Sequence, residues 1–251
     1  MASHKVFSAK DCERFIETKS FHELCSVFKT LKTSKGNFVL VLASPGTGKS
    51  ANLYQALSLL DLNIHDTHLF IDTDSKPADV FRIFWEILKE DMGVKTKEEA
   101  YKKASEYDLV LFADSFLDSE HIDPGKMGLG LWTEENGPRT FPLYFRVLYE
   151  YLKHKRDLKN INIVAQTSWI INFRGFRYDI LSDLNFISKI LVFLLKRLFE
   201  VVIISYNREE MIKIIRNHSA GISEDKIEEY IKRYGNRPRF IFKAMEKEKK
   251  V

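Results

Sequence analysis

The 251-residue sequence predicts an α/β fold: a five-stranded parallel sheet with helices on both faces and a small C-terminal helical lid. Three observations predict it. Apolar, β-rich runs recur at 38–42, 68–74, 108–114, 161–167 and 200–206, as suits strands covered on both faces. Segments with apolar residues three and four apart lie between them. Strict alternation of strand and helix implies parallel pairing through crossover helices. A 45% apolar fraction supports a sizeable core, and the length suits one α/β domain with a small appendage.

Taken in order, residues 8–33 read as helix, carrying Cys12, Phe15, Ile16, Phe21, Leu24, Cys25 and Phe28, and Thr33-Ser-Lys-Gly36 closes it. Strand 38–42 runs into a glycine-rich turn and a helix with Leu53, Ala56, Leu57 and Leu60 on one side. Strand 68–74 precedes an amphipathic helix over 78–93, and strand 108–114 precedes a Gly-rich segment, 118–140, that reads as a long loop. Helix 141–155, strand 161–167, helix 180–198 and strand 200–206 complete the core. The window 186–205 is the most apolar, but Lys189, Lys196, Arg197 and Glu200 interrupt it. It therefore reads as a buried helix and a buried strand, not as a membrane span. Asn207 and Glu210 form a capping box for the next helix, which Gly221 ends. Ser223 caps another, and Gly235-Asn-Arg-Pro-Arg239 turns into a terminal helix over 240–248. The expected division is an N-terminal helical segment, 1–36, a core, 37–206, and a lid, 207–251.

A net charge of +4, from 39 basic and 35 acidic residues, permits nucleic-acid binding without demanding it. Cys12 and Cys25 lack metal-type spacing and read as reduced thiols of an intracellular protein. No signal peptide opens the chain, so a cytoplasmic location is expected (host cytoplasm for a viral protein).

The chemistry concentrates at Ala43-Ser-Pro-Gly-Thr-Gly-Lys-Ser50, which fits the phosphate-binding P-loop pattern with Ala43 in place of the first glycine. Ser44, Pro45, Gly46, Thr47, Gly48, Lys49, Ser50 and Ala51 form the expected nucleotide-binding set. Gly46 and Gly48 let main-chain N–H groups turn inward around an anion. The following helix points its positive end at the same place. Lys49 adds charge at the β- and γ-phosphates, and the Ser50 hydroxyl is an expected Mg²⁺ ligand. A P-loop ATPase also needs a strand-end carboxylate near the Mg²⁺ water shell. Asp114 is preferred on the apolarity of its strand, with Asp72 the alternative. Gln166 and Thr167, polar at the end of an apolar strand, are candidates to meet the γ-phosphate or the attacking water.

The order of these parts resembles the AAA+ ATPases, within the broader ASCE group of P-loop NTPases. The resemblance implies ATP, Mg²⁺ and hydrolysis. It places Gln166-Thr167 at sensor 1 and makes Arg197, with Lys196 second, the candidate arginine finger that completes a neighbour's site in a ring or filament. It makes Arg239, or Arg237, the sensor 2 residue of the lid. The compact lid is similar to the initiator and loader branch, the DnaA and Cdc6 type, and the plain size resembles the DnaA-like ATPases of archaeal viruses and plasmids. Replication initiation or loading on DNA is then the expected role. Ser115 departs from the glutamate that many such enzymes place after the Walker B aspartate. Hydrolysis is expected to be slow unless Asp72, Asp74, Asp118 or Glu120 orients the water.

For DNA itself, the stretch 167–179 interleaves Trp169, Phe173, Phe176 and Tyr178 with Arg174 and Arg177, and the loop 123–139 adds Lys126, Trp132 and Arg139. Aromatics can stack on bases while cations meet phosphates, although such residues also build cores. Two other readings stand beside the first. One is a DNA-pumping or packaging motor of the FtsK/HerA type, suggested by Gln166. The other is a non-hydrolysing nucleotide-dependent scaffold or switch, suggested by Ser115.

Overall fold

The computed structural model describes residues 15–44, 46–66, 77–113, 130–133, 148–168, 170–173, 176–219 and 221–249. Helix α1 (Lys19–Leu31) begins where the Thr18 hydroxyl accepts from Phe21 N. It leads to β1 (Phe38–Leu42), α2 (Lys49–Leu59), β2 (Ile64–Asp66), α3 (Pro77–Met92), α4 (Lys97–Glu106) and β3 (Val110–Ala113). Then come β4 (Gly130–Thr133), helical residues 148–153, α5 (Lys155–Leu158), β5 (Asn162–Thr167), β6 (Ile170–Phe173) and β7 (Phe176–Asp179). The chain continues through α6 (Asn185–Leu195), β8 (Glu200–Ile203) and the lid helices α7 (Arg208–His218), α8 (Glu224–Tyr234) and α9 (Pro238–Lys249).

The five-stranded sheet has the order β2-β3-β5-β1-β8, with every neighbouring pair parallel. This is the expected five-stranded parallel sheet with helices packed on it. Strand β5 separates β1 from β3, and both β1 and β5 end at the same edge, since Leu42 is in register with Thr167. Ala113 of β3 is in register with Ala165, so its C-terminal end reaches that edge too. Open parallel sheets bind their ligands at this carboxyl edge.

Strand β1 divides the core by its pleat. Val39 and Val41 join a cluster with Phe21, Leu24, Phe28 and Leu31 of α1, Leu53 and Leu57 of α2, and Met211, Ile215, Ile227, Ile241 and Met245 of the lid. Leu40 and Leu42 face the other way, onto Leu181, Val192 and Val201. Helix, sheet and lid therefore share one apolar interior, and each fully buried large side chain contributes about 1.5–3 kcal/mol. A third cluster, with Trp85, Leu88, Tyr101 and Leu109, packs α3 and α4 beside β3. Asn162, 1% exposed at the start of β5, ties the layers together. Its Nδ2 donates to Leu31 O and Ser34 O, and its Oδ1 accepts from Asn37 N and Asn37 Nδ2.

The structure departs from the sequence reading in several places. It adds a sheet strand at Ile64–Asp66, while the expected strand 68–74 lies outside the described residues. Helix α4 has no counterpart in the sequence reading, although Thr96 and Glu99 form the capping box that opens it. Residues 130–133, expected in a long loop, form strand β4, which pairs with β6 in a separate β4-β6-β7 sheet. The helix expected to be buried over 186–198 buries only Ser188 and Val192 of α6. Phe186, Ile187, Ile190, Phe193, Leu194 and Leu198 are all exposed. Apolarity alone does not distinguish a side chain that meets the sheet from one that faces outward. Among the described residues, no helix is long and apolar enough to cross a membrane.

Replacing Asn162 by Ala leaves Leu31 O, Ser34 O and Asn37 N without their partner. Equilibrium urea unfolding is expected to show a loss of about 2–4 kcal/mol, against less than about 0.5 kcal/mol for the exposed Glu23→Ala.

Candidate nucleotide-phosphate site

The P-loop leaves β1 at Leu42 and turns into α2 at Lys49. Gly46 and Gly48 lie at φ +86° and +87°, the left-handed region that glycine enters without steric cost. Ala43 does not require it: the described non-glycine residues with positive φ are Asp61, Asp108 and Asn185. The alanine in place of the first motif glycine therefore carries no backbone strain of this kind. The Thr47 hydroxyl donates to Ser44 O at 2.8 Å and closes the turn.

Thr18, Thr96, Asn207 and Ser223 cap α1, α4, α7 and α8 with side-chain oxygens, whereas α2, like α5 and α6, begins without one; at α2 the N-cap is Gly48, which brings no side-chain acceptor. A phosphate oxygen fits that place, where first-turn amides and the helix dipole favour an anion. Lys49 is 5% exposed; its ammonium donates to Ala43 O at 2.8 Å and to Ser168 Oγ at 2.6 Å. It therefore sits over the ends of β1 and β5. Gln166 is buried next to it and donates from Nε2 to Ser50 Oγ at 3.4 Å. The fold thus brings Lys49, Ser50, Gln166 and the buried Thr167 to one edge.

The P-loop is held from behind as well. The Tyr206 hydroxyl, just beyond β8, donates to Thr47 O at 2.7 Å and accepts from Asn52 Nδ2 at 2.9 Å. Burial pushes this phenol up to about 12, so it stays protonated as a donor. Asn236 Nδ2 donates to Tyr206 O, and Arg239 N donates to Gly46 O at 3.1 Å. The Phe240 ring covers Gly46, where an added Cβ would lie 3.4 Å from it. The turn into the last lid helix therefore rests directly on the P-loop.

Of the two arginines expected at sensor 2, Arg239 is exposed and reaches the loop through its main chain. Arg237 reaches toward it through its side chain, by way of Asp183. Arg197 follows α6, exposed, with its guanidinium 4.9 Å from the centre of the Phe193 ring. Pro45, Asp72, Asp114, Lys126 and Arg174 lie outside the described residues, and Arg177 is described by its main chain alone, in β7 opposite Asn172. Sequence reasoning missed Ser168, Asn52, Tyr206 and Asp183. Asn52 had a faint signal, one helical turn after Gly48; the others lie more than a hundred residues from the loop they touch.

No family model matches the sequence, and no curated protein matches it. The structure is similar to the RuvB Holliday junction branch migration motor of Thermotoga maritima, with TM-score 0.45, 17% identity and 91% of this chain covered. It is likewise similar to a Walker-type ATPase of Pyrococcus abyssi, at TM-score 0.47, 12% identity and 91% coverage. A third similarity is to Drosophila ORC bound to DNA, at TM-score 0.47, 14% identity and 96% coverage. This chain spans 60%, 66% and 60% of those three chains.

An added methyl at position 48 must adopt φ +87° beside the Tyr206 hydroxyl. Gly48→Ala is expected to cost about 1–3 kcal/mol, read as a lower thermal midpoint with unchanged far-UV circular dichroism.

Proposed function

We propose that this chain is an AAA+-type ATP-binding protein that hydrolyses ATP while acting on DNA, in the manner of replication initiators and loaders. One observation carries the reading: the uncapped-by-side-chain start of α2, with Gly46 and Gly48 at positive φ and Lys49 beside it, at the carboxyl edge of the sheet. Those groups fit a triphosphate. Lys49 and the α2 amides would hold the phosphates, and Ser50 with Asp114 would hold Mg²⁺, which neutralises phosphate charge when bound. Gln166 and Thr167 stand at the strand end between the P-loop strand and β3, suited to sense the γ-phosphate. A lid resting on the P-loop supports this reading over a lidless DNA pump. The N-terminal segment, 1–36, the core, 37–206, and the lid, 207–251, would act as one nucleotide-responsive unit.

Oligomerisation is supported by α6. Its exposed Phe186, Ile187, Ile190, Phe193 and Leu194 form an apolar surface that leads directly to Arg197. A second copy seated there would receive Arg197 as its arginine finger. DNA contact is assigned to the antiparallel β6–β7 pair, in which Phe173 is in register with Phe176, and to Arg174, Arg177 and Lys126.

Lys49→Ala is expected to abolish ATP binding in a calorimetric titration; unchanged affinity sinks the P-loop assignment. ATP turnover measured with and without duplex DNA separates a DNA-stimulated ATPase from a silent switch, and Arg177→Ala is expected to weaken the stimulation. Phe193→Glu is expected to keep the chain monomeric on ATP addition in sedimentation velocity. Arg197→Ala should keep ATP affinity yet reduce turnover by about 10³-fold or more.

A further inference from the structure

Resting on the nucleotide reading above, we propose that Asp183 is a built-in competitor of the nucleotide: it holds the lid guanidinium of Arg237 against the P-loop and yields it when phosphate binds.

The geometry is a chain of three short contacts. Arg237 Nη2 donates to Asp183 Oδ2 at 2.6 Å, with the two side chains only 19% and 23% exposed. The other oxygen, Oδ1, accepts from the Ser44 hydroxyl of the P-loop at 2.7 Å. Ser44 Oγ also lies 2.6 Å from Ser182 Oγ. One carboxylate thus touches the P-loop with one oxygen and the lid arginine with the other.

The carboxylate is held in place rather than swinging on a loose loop. It belongs to the turn between β7 and α6, where Asp183 N donates to Asp179 O and Asp179 N donates back to Asp183 Oδ2. Asp179, fully buried, accepts from Leu181 N and Ser182 Oγ with its two oxygens. The arginine side is equally built. Gly235 takes φ +64°, Arg237 N donates to Gly235 O, and the turn is tied to the core through Asn236 and Arg239.

The chemistry follows from charge. Ser44 lies inside the phosphate loop, so a bound triphosphate brings several negative charges close to the Asp183 carboxylate. Like charges at short range in a partly buried site repel. Both anions want the same guanidinium, whose planar fork suits carboxylate and phosphate alike. Nucleotide binding must then weaken the Arg237–Asp183 pair, and the lid turn that carries Arg237 registers the exchange. Asp183 lowers the affinity for triphosphate and couples occupancy to the lid.

The test is calorimetric titration of the full chain with ATP. Asp183→Asn keeps an oxygen that can accept from Ser44 and removes the charge. Its Kd for ATP is expected to fall about tenfold, within the range of one charge-assisted hydrogen bond. In an Arg237→Ala background the same change is expected to have at most a threefold effect, because the contested guanidinium is gone. Asp183→Glu, which keeps the charge, should stay near the parent Kd. Asp183→Ser serves as a second neutral replacement if the asparagine variant does not fold. A Kd that rises in the neutral variants means that Asp183 only positions Arg237, and overturns the proposal; so does an unchanged Kd. The Lys49→Ala control separates the layers. If that variant binds ATP like the parent, the nucleotide reading itself has failed; if it does not bind while Asp183→Asn is silent, only the role of Asp183 has.

Discussion

The hydrogen bond from the Tyr206 hydroxyl to Thr47 O is the point on which the site is built. The P-loop is an irregular turn with two glycines in the left-handed region, and glycine loses more conformational freedom on folding than any other residue. A turn of that kind keeps one shape only if its surroundings over-determine it. Tyr206 supplies the brace from just beyond β8, the strand that flanks β1 on its outer side. Being deeply buried, its phenol has little alternative to this bond, because an unpaired hydroxyl there costs more than a typical hydrogen bond contributes. Asn52 completes the arrangement by linking Gly48 O to the same hydroxyl.

Placing the brace on the segment that leads into the lid has a consequence. Residues 205–207 connect the last core strand to α7, so anything that shifts the lid pulls on the group that shapes the loop. The reverse contact, from Arg239 N to Gly46 O, closes a circuit: core strand, lid, P-loop, core strand. The shared apolar interior of α1, α2 and the lid helices makes that circuit stiff. A lid that shares its interior with the core, rather than swinging on a bare linker, is suited to register small changes in the phosphate loop.

The strand order supplies the other constraint. Because β5 lies between β1 and β3, its polar C-terminal residues are inserted beside the P-loop lysine. Gln166 meets Ser50 and Ser168 meets Lys49 for this reason, although 116 and 119 residues separate the partners. Crossover connections of a parallel sheet make such long-range meetings ordinary, since each strand returns to the same edge.

The local chemistry was legible in the chain itself. Val39 to Leu42 read as a covered strand, and the glycines of the loop, the capping boxes at Asn207 and the turn at Gly235 act through neighbours three or four residues away. Periodicity placed most of the helices for the same reason. Helix α4 was passed over because its mean apolarity is low, though its capping box was present at Thr96 and Glu99. Tertiary structure alone decided which side of α6 meets the sheet, since its apolar residues lie all round it and the side that packs carries Ser188 beside Val192. It alone paired β4 with β6, and it alone brought Asp183 to Ser44 and Tyr206 to Thr47. The last two contacts join residues more than a hundred positions apart, and a single sequence carries no local pattern for a partner that distant.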